Sequence, residues 1–175
     1  MATWDVVASL DAPSAGVFAF TGLSLSSYKV IEIHGYGITV TTDGTDIKLT
    51  FYVASSEVTG SSYQWASWST QTSGGVTSDS STGQAAILLC SDNANVDVGN
   101  ASTAGSGFVC VVDAPGDTTL YKKLHFTQVS TVPSTGNSII APGCGLMTNA
   151  GAIDGIKISG TSSLTAGKVR ILGLA

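Results

Sequence analysis

Residues 46–53, with the sequence DIKLTFYV, decide the fold class, because apolar and polar side chains alternate along the whole stretch. In an extended chain one face of this segment would carry Ile47, Leu49, Phe51 and Val53, and the other face would carry the intervening residues. A period of two is the spacing of a β-strand with one face in a core and one face outside it. The stretch therefore predicts a β-strand at Asp46–Val53.

The same alternation recurs elsewhere and predicts strands at Trp4–Leu10, Leu120–Phe126, Ile156–Ile158 and Val169–Ile171. In the first of these, we expect Trp4, Val6, Ala8 and Leu10 to share one face. Leu120, Leu124 and Phe126 should likewise face opposite to Tyr121, Lys123 and His125. Shorter strands are expected at Val17–Thr21, Val30–Ile33, Ser62–Ser69, Ala85–Cys90 and Gly107–Asp113.

Turn residues separate these strands, for example at Asp43-Gly44 and Pro115-Gly116, and helical periodicity is missing from the sequence. Many short strands with turns between them are typical of a β-sandwich. We therefore predict one all-β domain over residues 1–175, an antiparallel sandwich of jelly-roll type with about eight to ten strands. Two longer irregular regions are expected at Ala54–Ser80 and Ser91–Ser106.

Charge is scarce: 11% of residues are charged, the net charge is −5, and seven residues are Lys or Arg. These cations form no cluster, which argues against nucleic-acid binding. The sequence has no apolar run of about 18 residues, so we expect no membrane span. The N-terminus lacks the basic and apolar regions of a signal peptide, and we expect the protein to be made and kept in a cytoplasm.

Residues that carry chemistry are few and scattered. His34 and His125 are interpreted as strand histidines, since no Cys-x-x-Cys or His-x-His pair accompanies them. A G-x-S-x-G turn is also absent. We therefore predict no catalytic, cofactor or metal site, and a protein that is not an enzyme. The three cysteines are Cys90, Cys110 and Cys144; the first two lie in apolar runs and are interpreted as buried free thiols, with a disulfide as the alternative.

Two further motifs leave alternatives open. Asn93, Asn95, Asp97 and Gly99 resemble part of a calcium loop, but the Gly at its sixth position and the closing Glu are missing, so an ordinary polar loop is favoured. The aromatic stretch at 63–68 contains Tyr63, Trp65 and Trp68. Tyr63 and Trp65 should share a strand face opposite Trp68. One face would pack on the core, or the group would form a contact surface for protein or sugar.

Both ends of the chain carry longer patterns. The N-terminal part has VFAFTGL at 17–23, YKVIEI at 28–33 and DGTDIKLTFY at 43–52; the C-terminal part has IDGIKISG at 153–160 and LTAGKVRILG at 164–173. Together they resemble a jelly-roll domain found in virion surface proteins of tailed bacteriophages and related particles. Residues 54–150 fall outside the resemblance. These motifs consist of core and turn residues, so they imply a fold and a setting and no catalytic residues.

The resemblance implies a non-enzymatic virion protein, synthesised in a bacterial host cytoplasm. Because the strands begin at about Trp4 and end at about Leu174, we expect a stand-alone domain that decorates or cements the capsid surface. Its partners would be the major capsid protein or other virion proteins. The alternative is a receptor- or glycan-binding head-spike or tail-tip module, whose partner would be a host-surface glycan.

The last strand predicts self-association. Leu172 and Leu174 should point opposite to Val169 and Ile171, which would leave the end of the strand apolar on both faces. A two-layer sandwich covers one face, and low charge weakens the usual barrier to contact between copies. We therefore expect a homo-oligomer, which the resemblance implies is a trimer. The predicted contact surface comprises Tyr63, Trp65, Trp68, Leu172 and Leu174.

Overall fold

The computed structural model describes residues 3–72, 74–89, 98, 105–131, 136 and 138–175. These residues form thirteen β-strands and no helix, so they contain no helical segment that could cross a membrane. The strands are β1 (Trp4–Leu10), β2 (Phe18–Thr21), β3 (Val30–Val40), β4 (Ile47–Val53), β5 (Ser56–Glu57), β6 (Tyr63–Gln71), β7 (Val76–Gln84), β8 (Ile87–Leu88), β9 (Ser106–Asp113), β10 (Lys122–Thr131), β11 (Ser138–Met147), β12 (Ile153–Gly160) and β13 (Leu164–Leu174).

The strands form two antiparallel sheets. The larger has eight strands in the order β1-β13-β3-β9-β10-β11-β6-β7, and the smaller has the order β2-β12-β4-β5, with β8 also paired to β4. Successive strands change sheet repeatedly along the chain, for example at β1/β2, β3/β4 and β12/β13. The four strands β1-β13-β3-β9 and the four strands β2-β12-β4-β5 are thus the two halves of a jelly roll. The predicted fold class is confirmed, with more strands than expected.

The additional strands β10, β11, β6 and β7 widen the larger sheet beyond the jelly roll. The core lies between the sheets, where alternate positions of each strand are buried. Ile33 and Ile171 from the larger sheet face Phe51 and Ile156 from the smaller one, and none of the four is exposed to solvent. The alternation at residues 46–53 is therefore the inward and outward pattern of β4.

A β-bulge corrects the prediction for β1. Trp4 lies opposite Leu174 and Val6 opposite Leu172, but the register shifts between Val6 and Ala8, so that Ala8 lies opposite Ile171. An extra residue in a strand turns the following side chains to the other face. Trp4 and Val6 therefore lie on the outer face of the sheet, whereas Ala8 and Leu10 pack against the core.

Other boundaries also differ from the expectations. The region Ala54–Ser80 is not irregular, because β5, all of β6 and the first half of β7 lie in it. The strand predicted at Leu120–Phe126 begins only at Lys122, and both Leu120 and Tyr121 are exposed. The strand expected at Ala85–Cys90 is reduced to β8. The region Ser91–Ser106 lies largely outside the described residues.

Candidate functional site

The outer face of the larger sheet is unusually apolar. Ten large hydrophobic side chains are exposed among the described residues, and eight of them lie on this face: Trp4, Val6, Tyr36, Trp68, Val76, Val109, Val129 and Ile140. An antiparallel sheet with one face in solvent normally carries polar side chains there. Neighbouring exposed apolar side chains, such as those of the cross-strand pairs Trp4–Leu174 and Val129–Ile140, mark contact sites. We therefore take this face as the candidate functional site.

The first part of the face, which we call the terminal patch, comprises Trp4, Val6, Leu172 and Leu174. The cross-strand pairs Trp4–Leu174 and Val6–Leu172 place the four side chains side by side at one edge of the sheet. Both leucines are half-buried, whereas Val169 and Ile171 on the other face are fully buried. The end of β13 is thus apolar on both faces, as the alternation predicts.

A polar ladder on β3 lies beside the terminal patch. His34 Nε2 donates a hydrogen bond to the Glu32 carboxylate at 2.8 Å, and His34 Nδ1 accepts one from the Tyr36 hydroxyl at 3.0 Å. The His34 and Tyr36 rings also stack, with centroids 5.9 Å apart. These partners occupy both ring nitrogens of His34. Within the described part of the chain, no group of three or more His, Cys, Asp or Glu is placed to hold a metal ion.

The aromatic stretch of β6 is divided between the two faces of the sheet. Tyr63 and Trp65 point inward and are buried, and Trp68 points outward with 54% of its surface exposed. The prediction that Tyr63 and Trp65 belong to a contact surface is therefore wrong. Strand alternation places them on the side that the smaller sheet covers. Trp68 remains a contact candidate.

Tyr63 joins the two sheets through its hydroxyl group. The hydroxyl accepts a hydrogen bond from the Phe51 backbone N–H at 3.0 Å and donates one to the Val58 carbonyl at 3.1 Å. Burial of the ring raises the pKa of Tyr63 to about 12, because the phenolate would lose its hydration. The residue is a structural link in the core.

Two adjoining clefts lie on the outer face of β6 and β7, with volumes of about 330 and 430 Å³. Both are lined by Ala66 and Ser80, which lie opposite each other in the sheet, so the clefts form one groove. Trp68 stands at one end and Leu146 at the other. We call this feature the Trp68 groove.

A third cleft, of about 430 Å³, lies on the outer face of the smaller sheet between β4, β5 and the segment before β8. Its Glu57 carboxylate is paired with the Lys157 ammonium at 2.9 and 3.1 Å and accepts a hydrogen bond from the Thr50 hydroxyl. The lysine neutralises the carboxylate, and both are partly exposed to water. The cleft is thus a polar surface feature with balanced charge.

Two of the three cysteines lie in the described residues, and both are free thiols. Cys110 is fully buried, as expected, and burial raises the pKa of its thiol far above the usual range. Cys144 is exposed on the outer face of β11, opposite His125. Cys90 and the calcium-like motif at 93–99 lie outside the described residues.

Proteins similar to this chain are found among solved structures. No family model matches the chain, and no curated protein matches it. Among solved structures, a human SPRY domain is 14% identical, with 97% of this chain and 96% of that chain covered at a TM-score of 0.34. A Bacteroides ovatus GH16 protein of a mixed-linkage glucan locus is 10% identical, with 95% and 80% covered at a TM-score of 0.27. Likeness at this level carries no argument about function.

Proposed function

We propose that this protein is a non-enzymatic structural subunit of a virion surface, where it decorates or cements the capsid of a tailed bacteriophage or a related particle. The stretches that resemble virion jelly-roll domains belong to β2, β3, β4, β12 and β13. These strands are mutual neighbours, in the orders β2-β12-β4 and β13-β3. A pattern split between the two ends of the chain is thus continuous in space, which supports the resemblance.

The observation that carries the proposal is the terminal patch. Four apolar side chains lie in two adjacent cross-strand pairs on the outer face, where Trp4 and Val6 are exposed and the two leucines are half-buried. Burying such a patch against a second copy would remove apolar surface from water at a gain of roughly 25 cal/mol per Å². With 11% charged residues, the chain has little charge to oppose such contacts. We propose that the copies form a trimer with β13 at the interface.

The virion assignment is tested by mass spectrometry of gradient-purified particles made by the genome that encodes this chain. Hundreds of copies per particle are expected for a capsid-decorating protein. A few tens of copies or fewer would favour the alternative, a head spike or tail tip. Absence of the protein from the particles would refute the virion assignment.

Self-association is tested by Leu172→Asp, with light scattering and circular dichroism as the measurements. The half-buried Leu172 faces outward, so the variant should become a monomer with an unchanged β-spectrum. Val76→Asp is the matched control: Val76 is 70% exposed on the same face, in the strand at the opposite edge, and its replacement should leave the mass unchanged. A monomeric wild-type protein at micromolar concentration would refute self-association. If Leu172→Asp instead unfolds the protein, the outward assignment of Leu172 is wrong.

A further inference from the structure

The Trp68 groove is a second, separate feature of the outer face. Its strands β6 and β7 form one edge of the larger sheet, whereas the terminal patch lies at the other edge. Neighbouring strands are rotated by roughly 20–25° on average, so strands at opposite edges of an eight-stranded sheet point in very different directions. A partner seated on the terminal patch would therefore leave the groove accessible.

The groove has the dimensions of a ligand site. Its two clefts, of about 330 and 430 Å³, fall in the range of roughly 300–1,000 Å³ typical of small-ligand sites. The floor is low because the facing residues Ala66 and Ser80 are small. Strand β7 is the last strand of the sheet, so the groove is bordered there by solvent and can accommodate an extended ligand.

The lining of the groove combines apolar surface with hydroxyl and amide groups, and it contains no cation. An amide and three hydroxyl groups, those of Gln64, Ser78, Ser80 and Thr82, lie on the outer face along the groove. Asp79 and Ser81 pair with the buried Ser67 and Trp65, so their side chains belong to the other face. The described lining residues contain no lysine or arginine. Such a surface offers no counter-charge to an anionic ligand, and the chain as a whole has a net charge of −5.

The chemistry of this lining matches a neutral sugar chain better than it matches a protein surface. An exposed indole ring offers a flat apolar face on which the C–H face of a pyranose can stack. Hydroxyl and amide side chains both donate and accept hydrogen bonds, as the hydroxyl groups of a sugar require. On β7, Ser78, Ser80 and Thr82 present such groups at every second residue, about 7 Å apart.

We propose that the Trp68 groove binds a neutral glycan, with Trp68 as the stacking platform and the hydroxyl groups of β7 as hydrogen-bonding partners. The proposal is independent of the virion assignment and of the terminal patch. It assigns an adhesive role to the strands that widen the jelly roll.

The test is binding of the full-length protein to a printed array that carries neutral hexose and N-acetylhexosamine oligosaccharides beside sialylated and uronic-acid glycans. Binding is expected on neutral spots. Titration of the best neutral oligosaccharide should quench tryptophan fluorescence, and Trp68→Ala should weaken its affinity about tenfold. Ser80→Leu, which fills the floor of the groove from an exposed position, should weaken it as well.

The matched control is Trp4→Ala, because Trp4 is an exposed tryptophan (44%) on the same face in the strand at the far edge. This variant should retain glycan affinity while altering the mass measured by light scattering. The proposal is overturned if no glycan binds, if only anionic glycans bind, or if Trp4→Ala weakens binding as much as Trp68→Ala does. It is also overturned if Trp68→Ala dissociates the oligomer without any glycan binding, since the groove would then be a protein contact. Should Trp68→Ala fail to fold, unchanged affinity of Ser80→Leu would overturn it.

Discussion

Replacement of Tyr63 by phenylalanine should destabilise the protein without altering its fold. The hydroxyl of Tyr63, on β6, accepts a hydrogen bond from the Phe51 N–H and donates one to the Val58 carbonyl, so it ties the larger sheet to β4 and to the residue after β5. The ring is fully buried. Phenylalanine keeps the ring volume, and its contact with Phe51 at a centroid distance of 6.5 Å should survive. The change therefore removes the hydroxyl alone.

The magnitude follows from the two backbone groups that lose their partner. A buried donor or acceptor left without a hydrogen bond costs about 1–3 kcal/mol. Both groups lie in the buried region between the sheets, and we expect a total loss of about 2 kcal/mol in the free energy of unfolding. For a chain of 175 residues this corresponds to a fall in Tm of about 4–8 °C. It is a large share of a typical stability of 5–15 kcal/mol.

Urea unfolding monitored by circular dichroism measures this loss, at two protein concentrations so that self-association is separated from folding. Tyr121→Phe is the matched control: Tyr121 is exposed, and its replacement should change stability by less than about 0.5 kcal/mol. If Tyr63→Phe is as stable as the wild type, water or a shifted backbone replaces the hydroxyl, and the inter-sheet link carries no net stabilisation.

Two other predictions concern buried polar groups. The folded pKa of Tyr63 is about 12 against 10.0 for the free side chain, so the unfolded state ionises first as pH rises. Stability should therefore fall between pH 10 and pH 12, by about 1.4 kcal/mol at pH 11 relative to Tyr63→Phe, and parallel curves for the two proteins would refute the shift. Lys122 is 1% exposed, and its ammonium donates to the carbonyls of Asp117, Leu120 and Ala150. Lys122→Met should cost about 2 kcal/mol in urea unfolding, whereas the exposed neighbour change Lys123→Met should cost under about 0.5; equal effects would contradict a structural role for the buried ammonium.

Alternation along the chain was sufficient to predict the jelly-roll strands other than β5, because these strands carry apolar residues on their inward face. β7 escaped prediction since its sequence, VTSDSSTGQ, has one apolar residue. As an edge strand it is supported by pairing with β6 and by hydrogen bonds such as Ser69–Thr77 rather than by burial of its own side chains. Without knowledge of its pairing with β6, the sequence of β7 is typical of a loop.

β11 was missed for a different reason: its sequence, SIIAPGCGLM, contains a proline and two glycines that usually interrupt strands. Here the glycines make room for large neighbours. A Cβ at Gly143 would lie 2.4 Å from the Phe126 ring, and one at Gly145 would lie 2.9 Å from the Ile87 side chain. The need for glycine at these two positions comes from residues distant in sequence, so it cannot be predicted from the local sequence pattern.

Sequence reasoning about the candidate site was limited by the same lack of long-range information. The alternation of side chains along β6 places Trp68 on the face opposite Tyr63 and Trp65. It does not reveal which of these two faces the smaller sheet covers. Half of the terminal patch could be predicted from the sequence. The outward direction of Leu172 and Leu174 follows from alternation in β13, whereas the exposure of Trp4 and Val6 depends on the bulge in β1. The groove between β6 and β7 requires the pairing of a strand that the sequence does not indicate.

The two candidate surfaces lie on opposite sides of the boundary between the jelly roll and the four strands that extend it. The stretches that resemble virion domains form β2, β3, β4, β12 and β13, and the terminal patch lies on β1 and β13, in the jelly-roll half of the sheet. The groove lies on β6 and β7, which belong to the unmatched middle of the chain. Contacts between copies would then depend on the jelly-roll half of the sheet, and ligand choice on the four strands that extend it. Because the sheet is continuous, the four additional strands are supported by pairing with β9, and their outward side chains can vary without disturbing the core between the sheets.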